Sequence, residues 1–327
     1  MSQFEKVQIL MAKAEIDVAE HVAGCLQLAT LLEVSAYPKP GNVHRTVNFK
    51  ETRYEHFLAS ACALAPNFRN AAQKGILVAQ EKMGPDELEM GNTIKNTVEH
   101  VRSWQSGGNT LLGTIILLTP IASAAGIALT ERQFSIYNLR KNIRLIVEAT
   151  TPIDAVNVYD AISIAKPGGL GKAPKLDVSD TTSKQKISKD KISLFDVFKI
   201  SSPWDSISSE WVNNYSITFD LGYPYFVETL EKTDDVNIAA VHTFLKILSE
   251  VPDTLIARKL GSAKAKEISI QAQLVLESGA LTTRNGKEKL SQFDDKLRDL
   301  KHRLNPGATA DLTAAVLAVA VLNGYRP

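Results

Sequence analysis

Residues 110–129 read Thr-Leu-Leu-Gly-Thr-Ile-Ile-Leu-Leu-Thr-Pro-Ile-Ala-Ser-Ala-Ala-Gly-Ile-Ala-Leu, twenty positions without a charge. That length would span a bilayer. Yet Pro120, Gly113 and Gly126 interrupt the run, hydroxyl residues are scattered through it, and no basic bias flanks it. A helix that is apolar all round is also what the centre of a helical protein requires. We therefore expect Thr110–Leu129 to be a central helix surrounded by other helices. The neighbouring sequence agrees, because apolar residues recur at three-and-four spacing nearly everywhere and strict alternation is scarce. In the first helix, read from about Phe4 to Ala36, Val7, Leu10, Met11, Ala14, Val18, Val22, Cys25 and Leu32 keep that rhythm, and Ser2 with Glu5 forms a capping box at its start. Further helices are expected from Thr52 to Leu64, with a break at Pro66, then at Asn67–Met83, Pro85–Gln105, Glu131–Ala149 and Pro152–Ala165. The second half adds Trp204–Asn213, Ser216–Glu231, Asp235–Val251, Asp253–Gly279, Gly286–Leu304 and Ala308–Asn323. The fold class is all-α, a large multi-helix bundle with a buried central apolar helix.

A chain of 327 residues can bury a large core. Its net charge of +1 gives no field that would gather nucleic acid or an anionic membrane. The two cysteines, Cys25 and Cys62, form neither a disulfide framework nor a metal site and suit a reducing cytoplasm. Charged residues begin at once after Ser2, so no signal peptide is read. His21, His56, His100, His242 and His302 lack zinc-ligand spacing. One composition shift divides the chain. Residues 167–193 carry Gly168, Gly169 and Gly171, then Lys172, Lys175, Lys184, Lys186, Lys189 and Lys191 among polar residues. With few apolar side chains, this segment is expected to be a flexible, solvated insertion; the alternative is a lid whose lysines close over a phosphorylated ligand. It separates an N-terminal helical part, 1–166, from a C-terminal part, 194–327, that completes the same domain. Self-association is left open.

Two loops concentrate chemistry. Pro38-Lys39-Pro40-Gly41-Asn42-Val43-His44-Arg45 ends the first helix with two prolines, a glycine, an amide, an imidazole and two cations. Prolines fix the backbone and glycine allows close approach, as an anion site needs. An ordinary helix stop with solvated charges would read the same way. Near the other end, Asn305-Pro306-Gly307-Ala308-Thr309-Ala310-Asp311 opens an apolar helix. Asp311 there is either a capping charge favoured by the helix dipole or a metal or general-base carboxylate at the mouth of a buried helix.

Several stretches together resemble the triphosphoribosyl-dephospho-CoA synthase family. Glu33-Val34-Ser35-Ala36-Tyr37 with Lys39-Pro40-Gly41-Asn42-Val43 is similar to its EVSxxPKPGLVD segment. Ser106-Gly107-Gly108-Asn109-Thr110 followed by Gly113 is similar to GVNTHKG, Asp253-Thr254 with Arg258 and Gly261 to DTxxxxRxG, and residues 305–312 to SPGGSADLL. The chain departs where Leu111-Leu112 replace the family's His-Lys and His44 replaces its aspartate. The first loop and Tyr54-Glu55-His56-Phe57 look more like the archaeal branch.

The resemblance implies transfer of triphosphoribose from ATP to the 2′-hydroxyl of dephospho-CoA, with release of adenine. That chemistry needs cations and Mg²⁺ for three phosphates, a carboxylate or imidazole near the acceptor hydroxyl, and groups that orient the base. For phosphate and nucleotide the candidates are Lys39, Gly41, Asn42, Arg45, Asn109, Thr110, Arg258, Asn305 and Gly307. Glu33, Asp311 and His44 are the catalytic candidates, and Glu33, Asp253 and Asp311 the metal ligands. ATP and a CoA-like small molecule are the expected partners. A metal-dependent nucleotide hydrolase or phosphotransferase on the same pocket, or a silent nucleotide-binding protein, are the alternatives.

Overall fold

The computed structural model describes residues 17–132, 134–298 and 301–327. The capping box at Ser2 and the helical positions before Asp17 lie outside the described residues. Among the described residues fifteen α-helices follow one another: α1 Val18–Ser35, α2 Tyr54–Ala79, α3 Met90–Trp104, α4 Leu112–Thr130, α5 Ile136–Glu148, α6 Pro152–Ala165, α7 Thr181–Lys189 and α8 Leu194–Ser201. After these come α9 Ser206–Val212, α10 Tyr223–Thr233, α11 Val236–Glu250, α12 Thr254–Leu260, α13 Ser262–Glu277, α14 Arg284–Leu297 and α15 Gly307–Leu322. Among the described residues the only β-pairing is an isolated bridge between His44 and Val47.

The all-α expectation holds, and α4 is the buried centre. It is long and apolar enough to cross a membrane, and nearly all of it is enclosed by α1, α2, α5 and α15. Its contact with α2 is close enough for backbones to touch: a Cβ on Gly126 would strike the Ala72 carbonyl, and one on Gly75 the Ser123 carbonyl. Ser123 Oγ donates to Ala71 O across the same crossing (2.8 Å). Pro120 lies inside α4 and has no N–H for the carbonyl of Ile116. The indole of buried Trp211, from α9, donates to that carbonyl instead (3.3 Å). The second, shorter apolar helix, α15, packs on α1, α4 and α11.

Several boundaries differ from the sequence reading. Pro66 does not break its helix, because Pro66 and Cys62, whose carbonyl loses its partner, both face solvent while Leu64, Phe68, Ala71 and Ala72 hold the helix to the core. The segment read as Asp253–Gly279 is two helices. Gly261 sits between them at φ +91°, a conformation open chiefly to glycine. Before α10 the chain makes a π-helical turn, Ile217–Gly222, held by buried Glu210, whose carboxylate accepts from the amides of Ile217 (2.8 Å) and Thr218 (2.9 Å). Burial pushes Glu210 up to about 7 against those hydrogen bonds.

The 167–193 segment carries more structure than its composition suggested. Asp180 caps α7 through the Thr182 amide (2.8 Å), Ile187 is fully buried, and Lys184 pairs with Asp160 of α6. Earlier in the segment, Asp177 accepts from the amides of Ala173 and Ser179 (both 2.7 Å), and Tyr159 Oη donates to Leu176 O (2.5 Å). A few anchors fix a polar segment when its own carboxylates cap its turns.

Candidate functional site

The segments that drew attention in the sequence line one cavity of about 520 Å³. Its walls come from the end of α1 with the loop after it, the Gly107–Thr114 stretch leading into α4, α12 at Leu255 and Arg258, and the start of α15. Residues far apart in the chain meet because α1, α4 and α15 pack together and place these ends at one side of the bundle.

At the inner wall Glu33 and Lys39 form a buried ion pair, and Lys39 Nζ also donates to the Glu33 carbonyl (2.9 Å). Burial raises Glu33 above the usual carboxylate range, against the pull of Lys39. Asp311 faces the same space. Its Oδ1 accepts from the amide (2.8 Å) and hydroxyl (2.6 Å) of Thr114, so it caps α4 rather than its own helix. Its Oδ2 lies against the Cα of Gly113, where any Cβ would collide with it. Burial pushes Asp311 up to about 7; the Thr114 bonds oppose the rise, and the nearby Glu33 and Asp253 carboxylates add to it. What exposure Asp311 retains is to the cavity, so a ligand that displaces cavity water strengthens the desolvation.

Asn42, Asn109, Thr110, Arg258, Asn305 and Gly307 also line the cavity. Asn109 Oδ1 accepts from the Leu112 amide (3.2 Å), and Thr110 Oγ1 meets Ser60 Oγ (2.8 Å). Arg258 donates to Asp205 Oδ1 (2.7 Å) and leaves its Nε buried without a partner. Asn305 Oδ1 is likewise a buried acceptor with no donor. Such atoms are rare in finished interiors and are satisfied by ligand or water.

Four expected site residues lie elsewhere. Gly41 N–H donates to Asp294 Oδ1 (2.8 Å), and a Cβ there would strike Leu297, so its backbone anchors the loop to α14 instead of facing a phosphate. His44 is buried against Asp294 and Arg298; Arg298 lies 3.0 Å from its Nε2, and burial lowers its pKa. It fixes the loop and does not reach the cavity. Arg45 points to solvent with its guanidinium 3.8 Å over the Tyr37 ring. Both oxygens of Asp253 are engaged: Oδ1 takes the Ile256 amide (3.0 Å), and Oδ2 takes the Thr309 amide and hydroxyl (2.8 Å each). It is a cap shared by α12 and α15 and is not among the residues that line the cavity.

Among the described residues no three His, Cys, Asp or Glu side chains gather as a complete metal site. Glu33 and Asp311, both on the cavity wall, do fit Mg²⁺, which takes one or two protein carboxylates and completes its shell with phosphate oxygens and water. Lys175, one of the lysines of the lid alternative, also lines the cavity, and with it stand three lysines that the sequence reading did not single out, Lys166, Lys259 and Lys301. The lysine run after Pro167 pointed to Lys175 alone.

A family model described as ATP:dephospho-CoA triphosphoribosyl transferase (CitG) matches residues 19–327. Over 91 residues the chain is 35% identical to 2-(5''-triphosphoribosyl)-3'-dephosphocoenzyme-A synthase of Klebsiella pneumoniae; that match spans 28% of this chain and 30% of the relative. It is 26% identical over 296 residues to a Streptococcus equi protein named probable 2-(5''-triphosphoribosyl)-3'-dephosphocoenzyme-A synthase, across 90% of this chain and 94% of that one. A crystal structure from Archaeoglobus fulgidus, assigned to triphosphoribosyl-dephospho-CoA synthase, superposes with a TM-score of 0.60 at 23% identity, covering 82% of this chain and all of the other. That likeness shows a shared fold.

Proposed function

This chain belongs to the ATP:dephospho-CoA triphosphoribosyl transferase family, and we propose that it transfers triphosphoribose from ATP to the 2′-hydroxyl of 3′-dephospho-CoA, releasing adenine. The observation that carries the reading is the convergence of Glu33–Lys39, Asn109–Thr114, Arg258 and Asn305–Asp311 on a single cavity. The C1′–N9 bond of ATP breaks as a C1′–O bond forms. The hydroxyl gives up its proton, and the adenine that leaves carries one.

Asp311 is the group for that hydroxyl proton. With its carboxyl held near 7, it is a stronger base than an ordinary carboxylate and still ionised in a large fraction at neutral pH. Thr114 holds one carboxylate oxygen and leaves the other for the acceptor. Lys39 and Arg258, which line the cavity, are the cations for the phosphates, since fixed cations act strongly in a partly dry site. The unpartnered Oδ1 of Asn305 takes a hydrogen bond from base or ribose. Mg²⁺ bound with the triphosphate would be held by Glu33 and would neutralise phosphate charge, leaving the free Asp311 oxygen to the acceptor. Two unbridged cysteines fit a cytoplasmic location.

The test is incubation with ATP, Mg²⁺ and dephospho-CoA, following adenine and the acceptor mass by chromatography. Adenine formed only with acceptor present, and an acceptor heavier by one triphosphoribosyl unit, are expected. Phosphate or pyrophosphate in place of adenine would return the hydrolase reading.

A further inference from the structure

One side of the cavity is lined by a strap, residues 166–179, and its lining differs in kind from the wall at Glu33 and Asp311. The strap leaves α6 at Lys166 and crosses to the C-terminal half, where Gly168 and Gly169 rest on the aliphatic stem of Lys259. It returns to α6, where Tyr159 holds the Leu176 carbonyl, and Asp177 ties the turn through the amides of Ala173 and Ser179. Two large apolar side chains left exposed on this protein, Leu170 (42%) and Trp204 (38%), line the cavity beside it, with Ile200. Lys166 and Lys175 line it too, and neither is paired with a carboxylate among the described residues. Apolar surface left open beside unpaired cations suits a ligand with both a phosphate group and a long uncharged arm. ATP offers no such arm, whereas dephospho-CoA carries a pantetheine arm joined to a diphosphate.

We propose that the strap and Trp204 form the acceptor subsite: Lys175 and Lys166 take the diphosphate of the CoA-like acceptor, and Leu170, Ile200 and Trp204 take its pantetheine arm. The assignment deepens the transferase reading and rests on it for the identity of the acceptor. It makes Lys175 and Trp204 specificity-determining residues, separate from the carboxylates at the inner wall.

The test is calorimetric titration of the intact protein and its Lys175→Ala and Trp204→Ala variants with dephospho-CoA, ADP and ATP, each without turnover. Loss of one charge-assisted contact is worth about tenfold in affinity. Lys175→Ala is expected to weaken dephospho-CoA and ADP together by that factor. Trp204→Ala is expected to weaken dephospho-CoA alone, because ADP has no arm, and in turnover both variants raise KM for the acceptor with little change in kcat. Unchanged dephospho-CoA affinity in both variants, or a loss confined to ATP, overturns the proposal. Leu170→Ser, on the exposed strap, repeats the arm test should Trp204→Ala fail to fold. A protein that releases no adenine yet binds dephospho-CoA through Trp204 would refute the transferase reading and leave the subsite standing.

Discussion

Asp311 Oδ1 accepts both the amide and the hydroxyl of Thr114, so the carboxylate in the first turns of α15 caps the neighbouring helix α4. The same device recurs. Asp253 at the start of α12 caps α15 through Thr309, and Asp154 in α6 takes the Gly91 amide at the start of α3 (2.8 Å). Buried helix ends leave amides that must find acceptors, and here acids on adjacent helices supply them. The arrangement fixes the Asp311 carboxylate to the α4 backbone.

Because Asp311 titrates near 7, kcat/KM for the acceptor is expected to rise with pH through an inflection near neutrality. Asp311→Asn removes that limb and lowers adenine release by about a hundredfold to ten-thousandfold. Its effect on stability has the opposite sense. The folded state holds a proton that the unfolded chain has lost above pH 4, so stability falls as pH rises from about 4 to 7. The fall is at most about 4 kcal/mol, from three pH units at 1.36 kcal/mol each, and less where cavity water screens the charge. Urea unfolding at pH 5 and pH 8 measures it, and the asparagine variant should show a shallower decline.

Gly113→Ala drives a methyl group into the Asp311 carboxylate. Overpacking of this kind costs about 1–3 kcal/mol, and turnover should fall further than stability because the carboxylate is displaced. Gly24, in α1, has nothing within 4 Å of its missing Cβ, so Gly24→Ala should stabilise by about 0.5–1 kcal/mol. Chemical denaturation and adenine release on the two variants separate the effects.

Removing Lys39 leaves Glu33 buried without its cation. Lys39→Met should destabilise by about 3–5 kcal/mol at pH 8. The loss shrinks as pH falls, because Glu33, already raised by burial, then binds a proton in the folded state. Thermal melts from pH 5 to 8 should diverge from the parent protein as pH rises; parallel curves would mean that the pair is not coupled as described.

The Trp211 indole serves the Ile116 carbonyl that Pro120 leaves without an amide. Trp211→Phe should cost about 1–3 kcal/mol, the penalty of an unsatisfied buried acceptor plus lost packing. Where Pro120→Ala restores an N–H at position 120, the same Trp211→Phe change should cost less. A double-mutant cycle with denaturant unfolding reads the coupling directly.

His44→Asn tests the reassignment of that side chain. His44 touches Asp294 and Arg298 and does not reach the cavity. Stability should drop by about 1–3 kcal/mol, with kcat for adenine release retained in the folded fraction.

Local sequence determined the helical class, because three-and-four periodicity is a property of neighbouring residues and needs no partner to be seen. The uncharged run before and after Pro120 identified the central helix for the same reason. The two chemistry-bearing loops and the family resemblance brought Glu33, Lys39, Asn109, Arg258, Asn305 and Asp311 into view, and all of these line the cavity. Only packing decided what each group faces. Gly41, His44, Arg45 and Asp253 sit in the same motifs yet turn to α14, to solvent or to helix ends, since a side chain's direction depends on elements hundreds of residues away. Lys166 and Lys175 became cavity residues because Asp177, Tyr159 and Lys259 fasten the strap beside the cavity, a placement that composition alone does not encode. The raised carboxyl of Asp311 is tertiary as well, because desolvation is produced by surrounding protein and no linear pattern contains it.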